Sequence, residues 1–204
     1  MKIVKLRAMA AAVLTAAAIA VVVVGGSSPA QAYTLVWGEI RPLSGSYSPY
    51  GSQCMALDLN YNAYLTDVFQ WSCNGHTDQQ WEARYVGISG GDGVYQIVNK
   101  LSGRCMGIRN DDLDLWGNGS QVVQFDCLAG TVATITAQEL WKITYDANDG
   151  HYHQIRPMAA LVRGWNMCLD VPGGLQNNGI HLEAWWCNGG INQKFLGDPL
   201  YGLW

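Results

Sequence analysis

The feature that most limits what this chain can fold into is the threefold pairing of its six cysteines. Cys54 and Cys73, Cys105 and Cys127, and Cys168 and Cys187 follow one another in sequence, separated by 19, 22 and 19 positions. The surrounding text recurs with them. A strand-like phrase precedes each first cysteine: Glu39-Ile40-Arg41-Pro42, Gln96-Ile97-Val98-Asn99 and Gln154-Ile155-Arg156-Pro157. An aromatic residue stands two positions before each second cysteine, at Trp71, Phe125 and Trp185. A further phrase, Gln79-Gln80-Trp81, Glu139-Leu140-Trp141 or Gln193-Lys194-Phe195, comes after it. Units of this size, each holding a few short strands, cannot bury a core alone. Packed about a threefold axis they can share one, and Trp81, Trp141 and Phe195 are the side chains expected to fill it.

Composition agrees with short strands. Only 14% of residues are charged, and 24 glycines accompany nine tryptophans and ten tyrosines. Beyond residue 33 no stretch has convincing helical periodicity, and the short apolar runs are separated by Gly, Asn and Asp turns, which reads as all-β. Residues 1–32 stand apart. Lys2, Lys5 and Arg7 precede an apolar run from Ala8 to Val24, and Ala30-Gln31-Ala32 supplies the small-x-small pattern of a cleaved signal peptide. Export places all six cysteines in an oxidising compartment, where a disulfide framework is expected. Of the fifteen pairings six cysteines allow, the repeat selects the one within repeats. Each bridge then contributes about 3 kcal/mol in the chain-entropy model. Without residues 1–32, nine Lys and Arg face sixteen Asp and Glu, so the basic patch of a nucleic-acid binder is missing. With no second long apolar run, no membrane association is expected after cleavage.

The phrase from Cys168 to Phe195, Cys-Leu-Asp-Val followed by Asn178-Gly179, Trp185, Cys187-Asn188-Gly189-Gly190, Asn192-Gln193 and Phe195, resembles the ricin-type β-trefoil lectin domain. That module also occurs as an appendage of secreted glycanases. The resemblance covers roughly Val36 to Leu200, with the third repeat the most specific match and the second the weakest. It implies a β-trefoil of about twelve strands, with repeats at about 36–90, 91–148 and 149–200. It also implies disulfides Cys54–Cys73, Cys105–Cys127 and Cys168–Cys187, and up to three shallow sugar pockets.

A sugar pocket needs an aromatic plate for the ring's C–H face and fixed polar groups at its hydroxyl edge. Hydrogen bonds to ionised groups contribute about 1.5–3 kcal/mol against about 1 for neutral ones. In the third repeat the resemblance makes Asp170 the hydroxyl acceptor, Trp185 the plate and Asn192 a direct contact. Gln193 orients the aspartate, and Glu183 stands where the family often carries Gln. Trp186, next to Trp185, is expected on the opposite strand face. The first repeat offers a second, weaker candidate site in Asp58, Trp71, Asp78 and Gln79, because Ala56 replaces the aspartate. The second has Gly107, Phe125 and Gln138-Glu139 at the matching positions and is expected to be inactive.

Catalytic readings are weaker. Gly87-Ile88-Ser89-Gly90-Gly91 formally satisfies G-x-S-x-G, yet no helix pattern follows it, and a hairpin turn is expected. His151 and His153 alternate on one strand but lack an evident third metal ligand. Asn118-Gly119-Ser120 matches a glycosylation sequon to which the sequence attaches no role. The expectation is a secreted, extracellular binding protein without catalytic residues, metal or cofactor. Its ligand is expected to be a galactose-type or xylan-type glycan, and a secreted hydrolase is a candidate partner. The competing reading is a trefoil that grips a protein through its loops, as an inhibitor or toxin component.

Overall fold

A computed structural model describes residues 36–45, 52–58, 63–109, 118–146 and 152–200. The first repeat supplies β1 (Arg41–Pro42), β2 (Gln53–Leu57), β3 (Val68–Ser72) and β4 (Trp81–Ser89), and the second β5 (Asp92–Asn99), β6 (Cys105–Ile108), β7 (Ser120–Phe125) and β8 (Trp141–Asp146). The third supplies β9 (Tyr152–Pro157), β10 (Met167–Asp170), β11 (Ile180–His181), β12 (Glu183–Trp186) and β13 (Phe195–Leu196), with one helical turn, α1 (Met158–Leu161). Among the described residues the expected twelve strands become thirteen, because one changes partners at Leu182. β11 pairs with β3, whereas β12 pairs with β10 and β7. At the break, the Leu182 N–H donates to the Val68 carbonyl at 2.9 Å, and its carbonyl accepts from the Val122 N–H at 3.1 Å.

The first and last strands of the repeats form a ring. β1 pairs with β13, β13 with β9, β9 with β8, β8 with β5, and β5 with β4. Gly38 and Trp81 close it by exchanging N–H···O bonds of 3.0 and 2.8 Å. A closed ring leaves no unpaired edge. The middle strands form three hairpins, β2–β3, β6–β7 and β10–β12, that meet over one end of the barrel. They touch through β11–β3, β12–β7 and an isolated bridge from Asp67 to Val123. This is the β-trefoil.

Trp81, Trp141 and Phe195 are fully buried in the shared core with Ile40, Met55, Ile97, Met106 and Ile155. The two indoles are also anchored. Trp81 Nε1 donates to the Met55 carbonyl at 2.9 Å and Trp141 Nε1 to the Met106 carbonyl at 2.8 Å, each the residue after its repeat's first cysteine. All three disulfides join cysteines of one repeat, with Cα–Cα distances of 5.0–5.1 Å. Ser89 lies on β4, and Gly90 and Gly91 turn the β4–β5 hairpin with φ of +60° and +91°, so the G-x-S-x-G phrase forms no strand-to-helix elbow. His153 is buried against Tyr145, with ring centroids 5.5 Å apart, and desolvation lowers its pKa. The imidazole lies in the barrel wall; His151 lies outside the described residues.

Trp81→Phe keeps most of the buried volume but strands the Met55 carbonyl without its indole donor. The expected cost is about 1–3 kcal/mol, read as a lower urea midpoint at unchanged m-value.

Candidate functional site

The third-repeat pocket is built on the β10–β12 hairpin. In antiparallel register Asp170 stands opposite Glu183 and Cys168 opposite Trp185. Directly opposed residues share a face, and alternate residues along each strand return to it. Asp170, Glu183 and Trp185 therefore look the same way. Met167, Leu169 and Ala184 enter the core from the other face. Trp185 is 40% exposed. Trp186 takes the opposite face, as its register requires, but at the strand end it stays exposed.

Asp170 is buried and fixed. Asn192 Nδ2 donates to its Oδ2 at 2.8 Å, and Gln193 Nε2 donates to the same oxygen at 2.7 Å. Gln193 has a second task, which recurs in the first repeat. Its Nε2 donates to the Trp186 carbonyl at 2.9 Å, and its Oε1 accepts the Asn188 N–H at 2.8 Å. Gln79 does the same with the Ser72 carbonyl at 3.0 Å and the Asn74 N–H at 2.8 Å. In the second repeat Glu139 accepts the Leu128 N–H at 3.0 Å but has no amide to donate, and Gln96 Nε2 donates to the carbonyl of the same Leu128 at 2.9 Å, so both bonds lie after Cys127 and none spans it. The glutamine is thus first a staple across the second cysteine, and only Gln193 also reaches an aspartate.

The first-repeat candidates divide. Asp58 and Trp71 line a cleft of about 510 Å³ with Tyr64, Asp67, Phe69 and His181. Asp78 and Gln79 are buried and do not line it. Desolvation raises the Asp78 pKa. Phe69 and Ala56 occupy the positions of Glu183 and Asp170, so this cleft has lost both carboxylates of the third pocket. The second repeat is filled. A Cβ on Gly107 would lie 2.6 Å from the Gln138 carbonyl oxygen and 2.8 Å from the Phe125 ring, leaving no room for an aspartate. Tyr64 packs edge-on against Phe125 at 5.6 Å, and Phe125 is buried.

Sequence reasoning missed that each hairpin is completed by its neighbour. The Gly119 N–H donates to the Ala184 carbonyl, Gly179 to Gln70 and Leu65 to Gln124, at 2.8–2.9 Å. Asn118 Oδ1 accepts the Trp186 N–H, and Asn178 Oδ1 accepts the Ser72 N–H, both at 2.8 Å. A Cβ on Gly119 would lie 3.6 Å from both Trp185 and Glu183, so the second repeat forms one wall of the third pocket. All three residues have positive φ, and Leu65 (φ +65°) stands where the other repeats use glycine. The signal available was Asn-Gly nine positions before the second cysteine in two repeats, replaced by Tyr64-Leu65 in the first.

The family model for ricin-type beta-trefoil lectin domain-like proteins matches residues 51–125 and 77–161, together more than half of the chain. The chain belongs to this family. Those matches fall on the first two repeats and the start of the third, whereas the carboxylate–tryptophan pocket of this lectin-like trefoil lies beyond them. Among solved structures it is similar to the designed threefold-symmetric protein ThreeFoil (20% identity, TM-score 0.61, covering 79% of this chain and 96% of that one). It is also similar to a ricin B-like lectin of Macrolepiota procera in complex with lactose (17%, 0.58, 82% and 98%). A third similarity is to an exo-beta-1,3-galactanase from Clostridium thermocellum (23%, 0.55, 80% and 30%). At these identities the likeness is one of fold. No curated protein matches the chain.

Burial, and secondarily the charge of Asp170, raise the Glu183 pKa from its ordinary 4.5 to about 7. Between those values the folded protein holds a proton that the unfolded chain releases, so this group makes stability fall as pH rises through that window. Glu183→Gln removes the titration. Its melting temperature is expected to exceed the parent's by a few degrees at pH 8, with the gap closing towards pH 4.5.

Proposed function

We propose that this is a secreted carbohydrate-binding protein whose working site is the third-repeat pocket. Residues 1–32 are read as the export signal, and the remainder acts outside the cell. The observation that carries the reading is the convergence on one strand face of an exposed Trp185 and a buried Asp170 locked by two amides. A sugar ring lies with its C–H face on Trp185 and a hydroxyl donating to Asp170, while Asn192 lines the same edge. Gln193 holds the aspartate in place without needing to touch ligand. Glu183 supplies an acceptor when ionised and a donor when protonated, a role the family often gives to Gln.

The ligand class follows from this chemistry: a galactose-type sugar or a xylan-type chain presents both an apolar face and a hydroxyl edge. Family membership and the lactose complex of the fungal relative support it. Similarity to a domain of a galactanase supports a secreted hydrolase as functional partner. The pocket is read as binding without catalysis, because both carboxylates sit at the ring edge and neither is placed across a glycosidic bond. A single shallow site of this kind binds near millimolar, about −4 kcal/mol. Useful retention on a polysaccharide then needs several sites linked by oligomerisation or tethering.

The purified, disulfide-bonded protein, applied to immobilised glycans and polysaccharides, is expected to bind a defined sugar. Asp170→Ala and Trp185→Ala are each expected to weaken that binding about tenfold to a hundredfold, the loss of about 1.5–3 kcal/mol. Binding unaffected by either change, or no binding by the folded parent, would move the function to the loops and to a protein partner.

A further inference from the structure

The third-repeat pocket contains a charge arrangement that a neutral sugar leaves unanswered. Asp170 and Glu183 are directly opposed across β10 and β12. Side chains so placed have Cβ atoms about 4.5–5.5 Å apart, and like charges there repel. Asp170 receives two neutral amide donors, both on Oδ2. Neither carboxylate has an ion-pair partner among the described residues. Two basic side chains face a different carboxylate: Arg109 lies 3.7 Å from Asp67, and His181, two residues before Glu183, lies 3.2 Å from the same carboxylate. Towards Glu183, β7 presents Gln121 and Ser120, which do not titrate, and the turn carrying Asn192 and Gln193 presents only amides. Among the described residues the pair lacks a countercharge, and Trp185 lies two residues from Glu183 on the same face, about 6.8 Å along the strand.

We infer that the pocket selects a sugar carrying a free amine, whose ammonium settles against the Asp170–Glu183 pair while its ring lies on Trp185. This rests on the carbohydrate-binding reading above and adds the ligand's charge to it. The amine supplies two or three charge-assisted N–H donors to carboxylates that are already desolvated, where such bonds are strongest. An N-acetylated sugar of the same ring offers one neutral N–H and no countercharge to the pair. Near pH 6 the unliganded Glu183 holds a proton, consistent with its raised pKa. Ammonium binding expels that proton to solvent, so ligand uptake and proton release are linked.

The test titrates the purified, disulfide-bonded protein at pH 6 with galactosamine and glucosamine oligomers. Their N-acetylated forms, neutral galactose and xylose oligomers, and a lysine oligomer of matching charge run beside them. Calorimetry in buffers of different ionisation enthalpy counts protons. The expected result is at least a tenfold preference for one free amine over its N-acetylated form, with about one proton released per site. The lysine oligomer should bind weakly, Glu183→Gln should abolish both the preference and the proton release, and Trp185→Ala should weaken the binding of every sugar about tenfold to a hundredfold. Equal binding of amine and N-acetyl forms through Trp185, or a preference that survives Glu183→Gln, overturns this inference and leaves the carbohydrate reading standing. Equal binding of the lysine oligomer overturns it as charge attraction alone. Failure of every sugar to bind the folded parent overturns both readings.

Discussion

No repeat of this chain can enclose a core, and the whole structure depends on that shortage. Each contributes two strands to a six-stranded barrel, and the ring closes only when the segment before β1 meets β4 through Gly38 and Trp81. The same dependence governs the hairpins. A turn from one repeat donates a backbone hydrogen bond to the next hairpin, and twice an Asn side chain takes a further N–H there. The floor under Trp185 therefore belongs to the second repeat and the floor under Trp71 to the third. A pocket that looks like the property of one repeat is a property of the boundary between two.

Breaking the threefold symmetry separates the three sites without disturbing the fold. The staple across the second cysteine survives in the first and third repeats, through Gln79 and Gln193, whereas in the second Glu139 and Gln96 both bond Leu128, the residue after Cys127. What varies is the hairpin face above it. The third repeat places two carboxylates and a tryptophan there, and the first places Ala56, Phe69 and Trp71. In the second, Gly107 and Phe125 are closed over by the Gln138 backbone and Tyr64. The substitution of Tyr64-Leu65 for Asn-Gly thus acts in two places, burying Phe125 below and lining the first-repeat cleft above.

The repeat, the all-β class and the inward Trp81, Trp141 and Phe195 were legible because they depend on local text recurring at fixed offsets. Asp170 and Trp185 were placed in one pocket by the resemblance that the third repeat carries. The direct opposition of Asp170 and Glu183 required the register of β10 against β12, which hairpin loop geometry sets and spacing alone does not. The burial of His153 was hidden for a related reason: its neighbours Tyr145 and Phe195 come from strands whose pairing no local pattern announces. The role of Gly119 was the least accessible, since the residues it supports lie more than sixty positions away. Residues that contact across repeats carry no mark in either repeat, apart from the Asn-Gly recurrence itself.

The central claim is that sugar is held between Trp185 and the carboxylate–amide edge of the third repeat. The most direct measurement is a set of proton–nitrogen NMR spectra of the protein titrated with the sugar it binds, with the indole and side-chain amide signals assigned. The account predicts that the Trp185 indole and the Asn192 and Gln193 side-chain amides move together with one dissociation constant. The Trp81 and Trp141 indoles, bonded in the core, should stay fixed. Movement confined to Trp71 and its surroundings, or spread over the second-repeat loops with Trp185 unmoved, would contradict it.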